Sequence, residues 1–298
     1  MPDKDRNQSE TERMSGKFAK SDLGLPPPNC FPNDASAGGI DELLSAGPGP
    51  DVEVYDSSLP VGAPPGSESR FDCFRLRFQQ QLATGSVPAF TYITYANDHT
   101  AGTRPGRRTP NAMVAENDYA LGQTVELISK SPIWNKSLIL VIEDDSQDGA
   151  DHVDAHGIPA FAISPYAKRG AVLRTRYDFL SFIRTLEIVV GMKPLNLWDA
   201  LAVPMYDAFT SSASNGEPYT AIKPDVNLVE RNAPTAANAR LSDELRIGRT
   251  DRTPQRILDR ILWQYVHGAD SKPPPPGPNA SGLDEAQWRK RGLPGLED

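Results

Sequence analysis

Apolar residues along this chain fall into two patterns, short unbroken runs and spaced helical faces, with polar breaks between them. Leu138 to Ile142 is an unbroken aliphatic run, and its length and composition predict a strand buried on both faces of a helix-covered sheet. A second run, Ile158 to Ile163, leads back into that sheet. Further upstream, VPAFTYITY from Val87 to Tyr95 has the β-branched and aromatic content of a strand. Helical spacing appears between Thr109-Pro110 and Ser131-Pro132, where Val114, Leu121, Val125 and Ile128 share a face. Tyr177 to Val190 repeats it with Phe179, Leu180, Ile183, Leu186 and Val190, and Gly191 and Pro194 end the segment. A last helix opens at Thr253-Pro254, carries Ile257, Leu258, Ile261, Leu262 and Tyr265, and closes at Gly268. Strand, helix and strand in that order predict a βαβ unit, hence an α/β fold with a parallel sheet.

The flanks read differently. Residues 1–84 are rich in Pro, Gly and Ser, as in LGLPPPNCFPNDASAGG, and predict an irregular N-terminal region. Only short helices around Gly39 to Ser45 and Phe71 to Leu82 are suggested there. Residues 85–212 hold the patterned core. Residues 213–298 form a C-terminal extension with one amphipathic helix and the Pro-rich tail SKPPPPGPNASG.

Charge and composition narrow the function classes. Lys plus Arg total 31 against 39 Asp plus Glu, a net charge of -8, which argues against a nucleic-acid partner. No apolar run approaches the ~18 residues of a transmembrane segment, and the N-terminal MPDKDRNQSETERMSGK has no apolar core of a secretory signal. The two cysteines, Cys30 and Cys73, lack metal-cluster spacing and are equally readable as a pair or as two thiols.

Candidate chemistry gathers where the strands end. The run to Ile142 stops at three carboxylates, Glu143, Asp144 and Asp145, and His152 and His156 follow in DHVDAH. In α/β sheets ligands bind outside the carboxyl ends of the strands. Side chains alternate across a strand, so at least one of these acids points inward. Adjacent carboxylates repel unless a positive group sits between them, and carboxylates with imidazoles suit Zn, Mn, Mg or Ca. Against this stands an ordinary solvated turn with surface histidines. Asp98 and His99 end the Val87–Tyr95 run in the same manner, although Asn-Asp-His is also a common turn. From Asp144, DDSQDGADHVDA matches the start of a calcium EF-hand loop, but Ala155 replaces its closing Glu and a strand precedes it. His267 reads as structural. Arg104, Arg107, Arg108, Lys168 and Arg169 could attract an anion, yet loop arginines usually face solvent. Neither phosphate-binding glycine loops nor a G-x-S-x-G elbow occurs.

These strings resemble a known family. NDHTAGTRPG, TPNAMVAENDYALG, VIEDDSQDGADHVDAHGIPAFAISPYAKRG and YDFLSFIRTLEIVVGMKPLNLWDALAVPMYDAF, with a weaker echo in RILDRILWQYVHG, are similar to the bacterial phosphoesterases. That family includes phospholipases C and acid phosphatases and belongs to the alkaline-phosphatase superfamily. The resemblance, over about residues 85–212, implies a three-layer α/β/α sandwich and metal-assisted hydrolysis of a small-molecule phosphate ester. It implies that Asp144 and Asp145 stand at the late acidic metal ligands and His156 at the closing histidine before a strand. Asp98 resembles the acid of an intermediate metal motif whose usual downstream His is not evident, and His152 enters by proximity. Family members carry an earlier strand ending in an acid-Asn pair and then a Ser or Thr nucleophile, which this sequence does not display. The expectation is therefore the C-terminal half of such an enzyme, an incomplete sandwich with half a metal site. The family is usually exported. The alternative is a catalytically silent member that binds a cation or serves as an interaction module. Oligomeric state is left open.

Overall fold

Ser69 begins the first element of the computed structural model, which describes residues 69–93, 95, 98, 100–143, 157–214, 216–245, 255–273, 286 and 290. Its side chain caps helix α1 (Arg70–Thr84), accepting from the Asp72 N–H at 3.0 Å while its hydroxyl donates to the Asp72 carboxylate at 2.7 Å. Gly85, at φ +67°, ends the helix, and the Ser86 N–H reaches back to the Gln81 carbonyl at 2.8 Å. Phe71, Phe74 and Phe78 are buried along one face. The Phe74 and Phe78 rings stack with centroids 5.5 Å apart, and Leu82, Val87, Ile93, Leu127, Ile128 and Ile133 close around them.

The strand expected over Val87–Tyr95 carries no ladder among the described residues. Pro88 cannot donate a ladder hydrogen bond. Val87 and Ile93 are spent instead on the phenylalanine cluster, and the Tyr95 hydroxyl bonds Thr124 at 2.7 Å.

Helix α2 (Pro110–Ser129) starts as the sequence indicates, with Thr109 capping the Ala112 N–H at 3.2 Å and Pro110 at the first turn. Its buried face differs from the expected one. Ala112, Glu116, Ala120, Thr124 and Val125 are buried, whereas Val114 is 47% exposed. Small and polar side chains face inward because another stretch of chain lies close against them. Gly122 adjoins Ala221, Ser129 accepts the Tyr219 N–H at 2.9 Å, and Glu126 accepts the Ala221 N–H at 2.9 Å.

Strands β1 (Ile139–Ile142) and β2 (Ala160–Ile163) pair antiparallel, with Ile139 opposite Ile163 and Ile142 opposite Ala160. The βαβ expectation joined the Val87–Tyr95 run to β1, and that run carries no ladder among the described residues; β1 pairs instead with the next run along the chain, antiparallel. The expected burial on both faces also fails. Leu140, Ile142 and Ala162 pack on Phe182, Met205 and Ala208, while Phe161 is exposed. Mixed helices with this small sheet are compatible with an α/β class.

Helix α3 (Phe179–Val190) has a reciprocal Asp178–Ser181 cap and ends at Gly191, φ +75°. Its buried set is Ser181, Phe182, Thr185 and Glu187, rather than the all-apolar face read from the sequence. The short helix α4 (Leu197–Leu201) follows, and a 3-10 turn spans Tyr206–Ala208. Helices α5 (Ala239–Glu244) and α6 (Gln255–His267) join Leu241, Leu245, Ile257, Leu258 and Ile261 in a separate cluster. No helix among the described residues is long and apolar enough to cross a membrane.

Candidate functional site

Two structures frame the residues singled out by sequence: the mouth of the β1–β2 hairpin and the loop that follows Asp98. At the mouth, Ile142 pairs with Ala160, and the Glu143 N–H donates to the Pro159 carbonyl at 3.3 Å. The chain therefore leaves the hairpin at Glu143 and returns at Gly157 across one pinned base. Asp144, Asp145, His152 and His156 lie between those points, outside the described residues.

Asp98 is described and exposed, whereas His99 is outside the described residues. The loop beyond it is built from inward-facing polar groups. Thr100 takes φ +54°, a left-handed conformation that β-branched residues rarely adopt, and its hydroxyl accepts the Gly102 N–H at 3.2 Å. Such strain persists only where surroundings enforce it, and it gathers at functional sites. Here Thr103 donates to the Ala237 carbonyl at 2.7 Å and bonds the Ser242 hydroxyl at 3.0 Å. The Asn232 amide donates to the carbonyls of Gly102, Arg104 and Arg108 at 3.1, 3.1 and 3.2 Å. Backbone bonds from Gly106 to Asn232, Asn232 to Arg107 and Thr109 to Glu230 finish the clasp at 2.8–2.9 Å.

The arginines of this loop do not simply face solvent. Arg108 is 2% exposed and lies 3.8 Å from the fully buried Glu116 carboxylate, and it also donates to the Leu228 carbonyl at 3.3 Å. Arg104 pairs with Asp243 at 3.1 Å. Sequence reasoning missed Arg108, Glu116 and Asn232 as builders of the loop. The one local signal was Glu116 interrupting the small-residue stripe of Ala112 and Ala120.

Two further carboxylates are tuned by their contacts. Asp207 accepts hydrogen bonds from the Tyr177 hydroxyl and, at 2.8 Å, from Thr175. The Tyr177 bond foremost, and then Thr175, hold its carboxyl below the usual range, while burial and then Asp207 push the Tyr177 phenol up. Burial alone would raise the Asp199 carboxyl. The N–H groups of Asn196, Leu195 and Ala200, at 2.9, 2.8 and 2.8 Å, together with Glu187, outweigh it and leave the group depressed. His267 stacks on Trp263 with ring centroids 4.0 Å apart, a structural contact.

Among the described residues no group of three or more His, Cys, Asp or Glu side chains converges as a metal site. By chemistry, the donor set of Asp98, Asp144, Asp145, His152 and His156 suits a divalent cation. Its assembly rests on residues outside the described ones, as does any pairing of Cys30 with Cys73.

The model of the Phosphoesterase family matches residues 67–193. Over that stretch, which is less than half of the chain, the protein is similar to the phosphoesterase family. It takes in α1, the clasped loop, α2, the hairpin and α3, so the match begins earlier than the resemblance at about residue 85 and stops before α4. Neither the curated proteins nor the solved structures yielded a match.

Proposed function

We propose that this chain is a metal-dependent hydrolase of phosphate esters. In this reading Asp98, Asp144, Asp145 and His156 ligate one or more of Zn, Mn, Mg or Ca, with His152 beside them. The supporting observation is the hairpin mouth: within the family stretch, the segment rich in acids and imidazoles is closed at its base by the Ile142–Ala160 pairing. Closing the base limits the chain entropy lost when several ligands gather on one ion. A bound divalent cation would supply Lewis-acid polarisation of a phosphoryl oxygen. This chain's own residues would hold the ion by charge, and the clasped loop would hold Asp98. In the same reading, hairpin and helices are part of a three-layer α/β/α sandwich acting on a small-molecule substrate.

The second reading, a silent member that binds a cation without turnover, is favoured by the lack of a recognisable nucleophile strand in the sequence. One experiment separates them. The purified chain is assayed for hydrolysis of chromogenic phosphate mono- and diesters with each metal, beside Asp144→Ala and Asp145→Ala. Metal-dependent turnover lost in both variants is the result expected for the hydrolase. Metal binding measurable by calorimetry without turnover would sink it and favour the silent reading.

A further inference from the structure

The segment from Leu195 to Tyr206 is built inside out. Leu195, Leu197, Trp198, Leu201, Val203 and Tyr206 are each 58–74% exposed. Six large apolar side chains within one short segment exceed the scattered exposure normal for a monomer. The polar residues beneath them are buried. Asp199 is 1% exposed and gathers three backbone N–H groups, and Glu187 accepts the Leu195 N–H at 3.2 Å. Thr185 accepts the Met205 N–H at 2.9 Å. Hydrogen bonds to inward acids thus fix the segment so that its apolar side chains point outward.

A basic stretch runs alongside. Lys168, Arg169, Arg174 and Arg176 are exposed, and residues 166–177 contain no acid. The stretch is tied to the end of the apolar ridge by the Lys168 N–H to the Ala208 carbonyl at 2.9 Å and by Thr175 to Asp207 at 2.8 Å. Lys193 adds a fifth cation in the turn between α3 and α4. Among the described residues, Arg169, Arg174, Arg176 and Lys193 have no ion pair. Asp207 attracts Lys168, but the other four cations beside the apolar ridge stay without a paired acid among the described residues, in a chain whose net charge is -8.

This combination selects one kind of occupant. A second copy in a two-fold contact would bring the same unpaired cations against each other. An anionic bilayer takes both features together: apolar side chains enter the interface, Trp and Tyr sit at headgroup level, and Lys and Arg meet lipid phosphates. We propose that residues 168–206 form a docking surface for an anionic membrane, with Trp198 entering the interfacial layer. The surface is independent of the hydrolase reading, and its test needs no activity.

The full chain is floated with vesicles of phosphatidylcholine alone or with about one third phosphatidylglycerol, at low and high salt. Binding is expected only to the anionic vesicles and weakens with salt. Arg169→Glu, Arg174→Glu and Arg176→Glu combined weaken it by at least about 100-fold. A blue shift of tryptophan emission on binding disappears in Trp198→Phe. Should the triple variant lose its helical circular dichroism, Trp198→Ser decides alone, with binding expected to fall. Equal binding to neutral vesicles, or no binding to either, overturns the proposal. So does self-association of the unbound chain, seen by light scattering and abolished in Trp198→Ser, which assigns the face to a second copy.

Discussion

The loop after Asp98 and the ridge from Leu195 to Tyr206 solve opposite problems with the same kind of bond. Around the loop, side chains that prefer water (Arg108, Glu116, Thr103 and Asn232) are buried and paired with partners far along the chain. On the ridge, Asp199 and Glu187 turn inward to hold the backbone, and side chains that prefer a core are left outside. Burial is therefore a poor guide to function here, and pairing is a better one. The loop's polar groups are mostly paired within the chain, with the Arg108 Nε as an exception, whereas the ridge is left with apolar surface exposed.

Substitutions can break that contrast at graded cost. Glu116→Ala leaves the Arg108 guanidinium buried without its carboxylate and should destabilise by about 3–5 kcal/mol, read by urea unfolding. Asn232→Ala removes three hydrogen bonds to loop carbonyls and should cost about 2–3 kcal/mol, with α6 unaltered by hydrogen exchange. Asp199→Asn acts on the ridge's support. A carboxyl depressed in the folded state stabilises above its unfolded pKa of ~3.9 and loses that contribution as pH falls through the folded value. The parent chain's Tm should therefore fall as pH drops below about 4, and Asp199→Asn should start lower at neutral pH and show a flatter acid limb. Gly122→Ala should stabilise by about 0.5–1 kcal/mol through helix propensity, since the added methyl meets the Ala221 Cβ at an ordinary 3.5 Å. A clear loss of stability there would show a tighter approach than described. Leu201→Gln, on a side chain 71% exposed, should shift stability by no more than about 0.5 kcal/mol. A larger loss by the same melt would mean that the ridge is covered by the chain itself.

What the sequence made legible was local chemistry. Thr109-Pro110, the span before Gly191 and the span before Gly268 mark helix ends correctly, because caps are formed by neighbours in sequence. Helix α1 was harder to see, since Phe71, Phe74 and Phe78 sit beside a Pro- and Gly-rich stretch that masks their spacing. The inward faces of α2 and α3 were misjudged for a largely nonlocal reason: Glu116 is buried against Arg108 from outside its helix, and Glu187, besides Arg184 of its own helix, accepts the Leu195 N–H. Strand direction was equally out of reach, because Leu140 and Ala162 look alike in parallel or antiparallel pairing. Of the site, Asp98 is placed on the approach to a clasped loop. Asn232, which holds that loop from more than 120 residues away, had no signature in a segment that reads as irregular.

That separation has a consequence in time. The hairpin joins residues a few tens of positions apart, so its pairing can close while the polypeptide is still being made. The clasp cannot, because Thr103 must wait for Ser242, 139 residues later. Short-range contacts form early and long-range ones late. The base beneath the acid- and histidine-bearing segment is thus ready first, and the setting of Asp98 is completed only after Ser242 has been made.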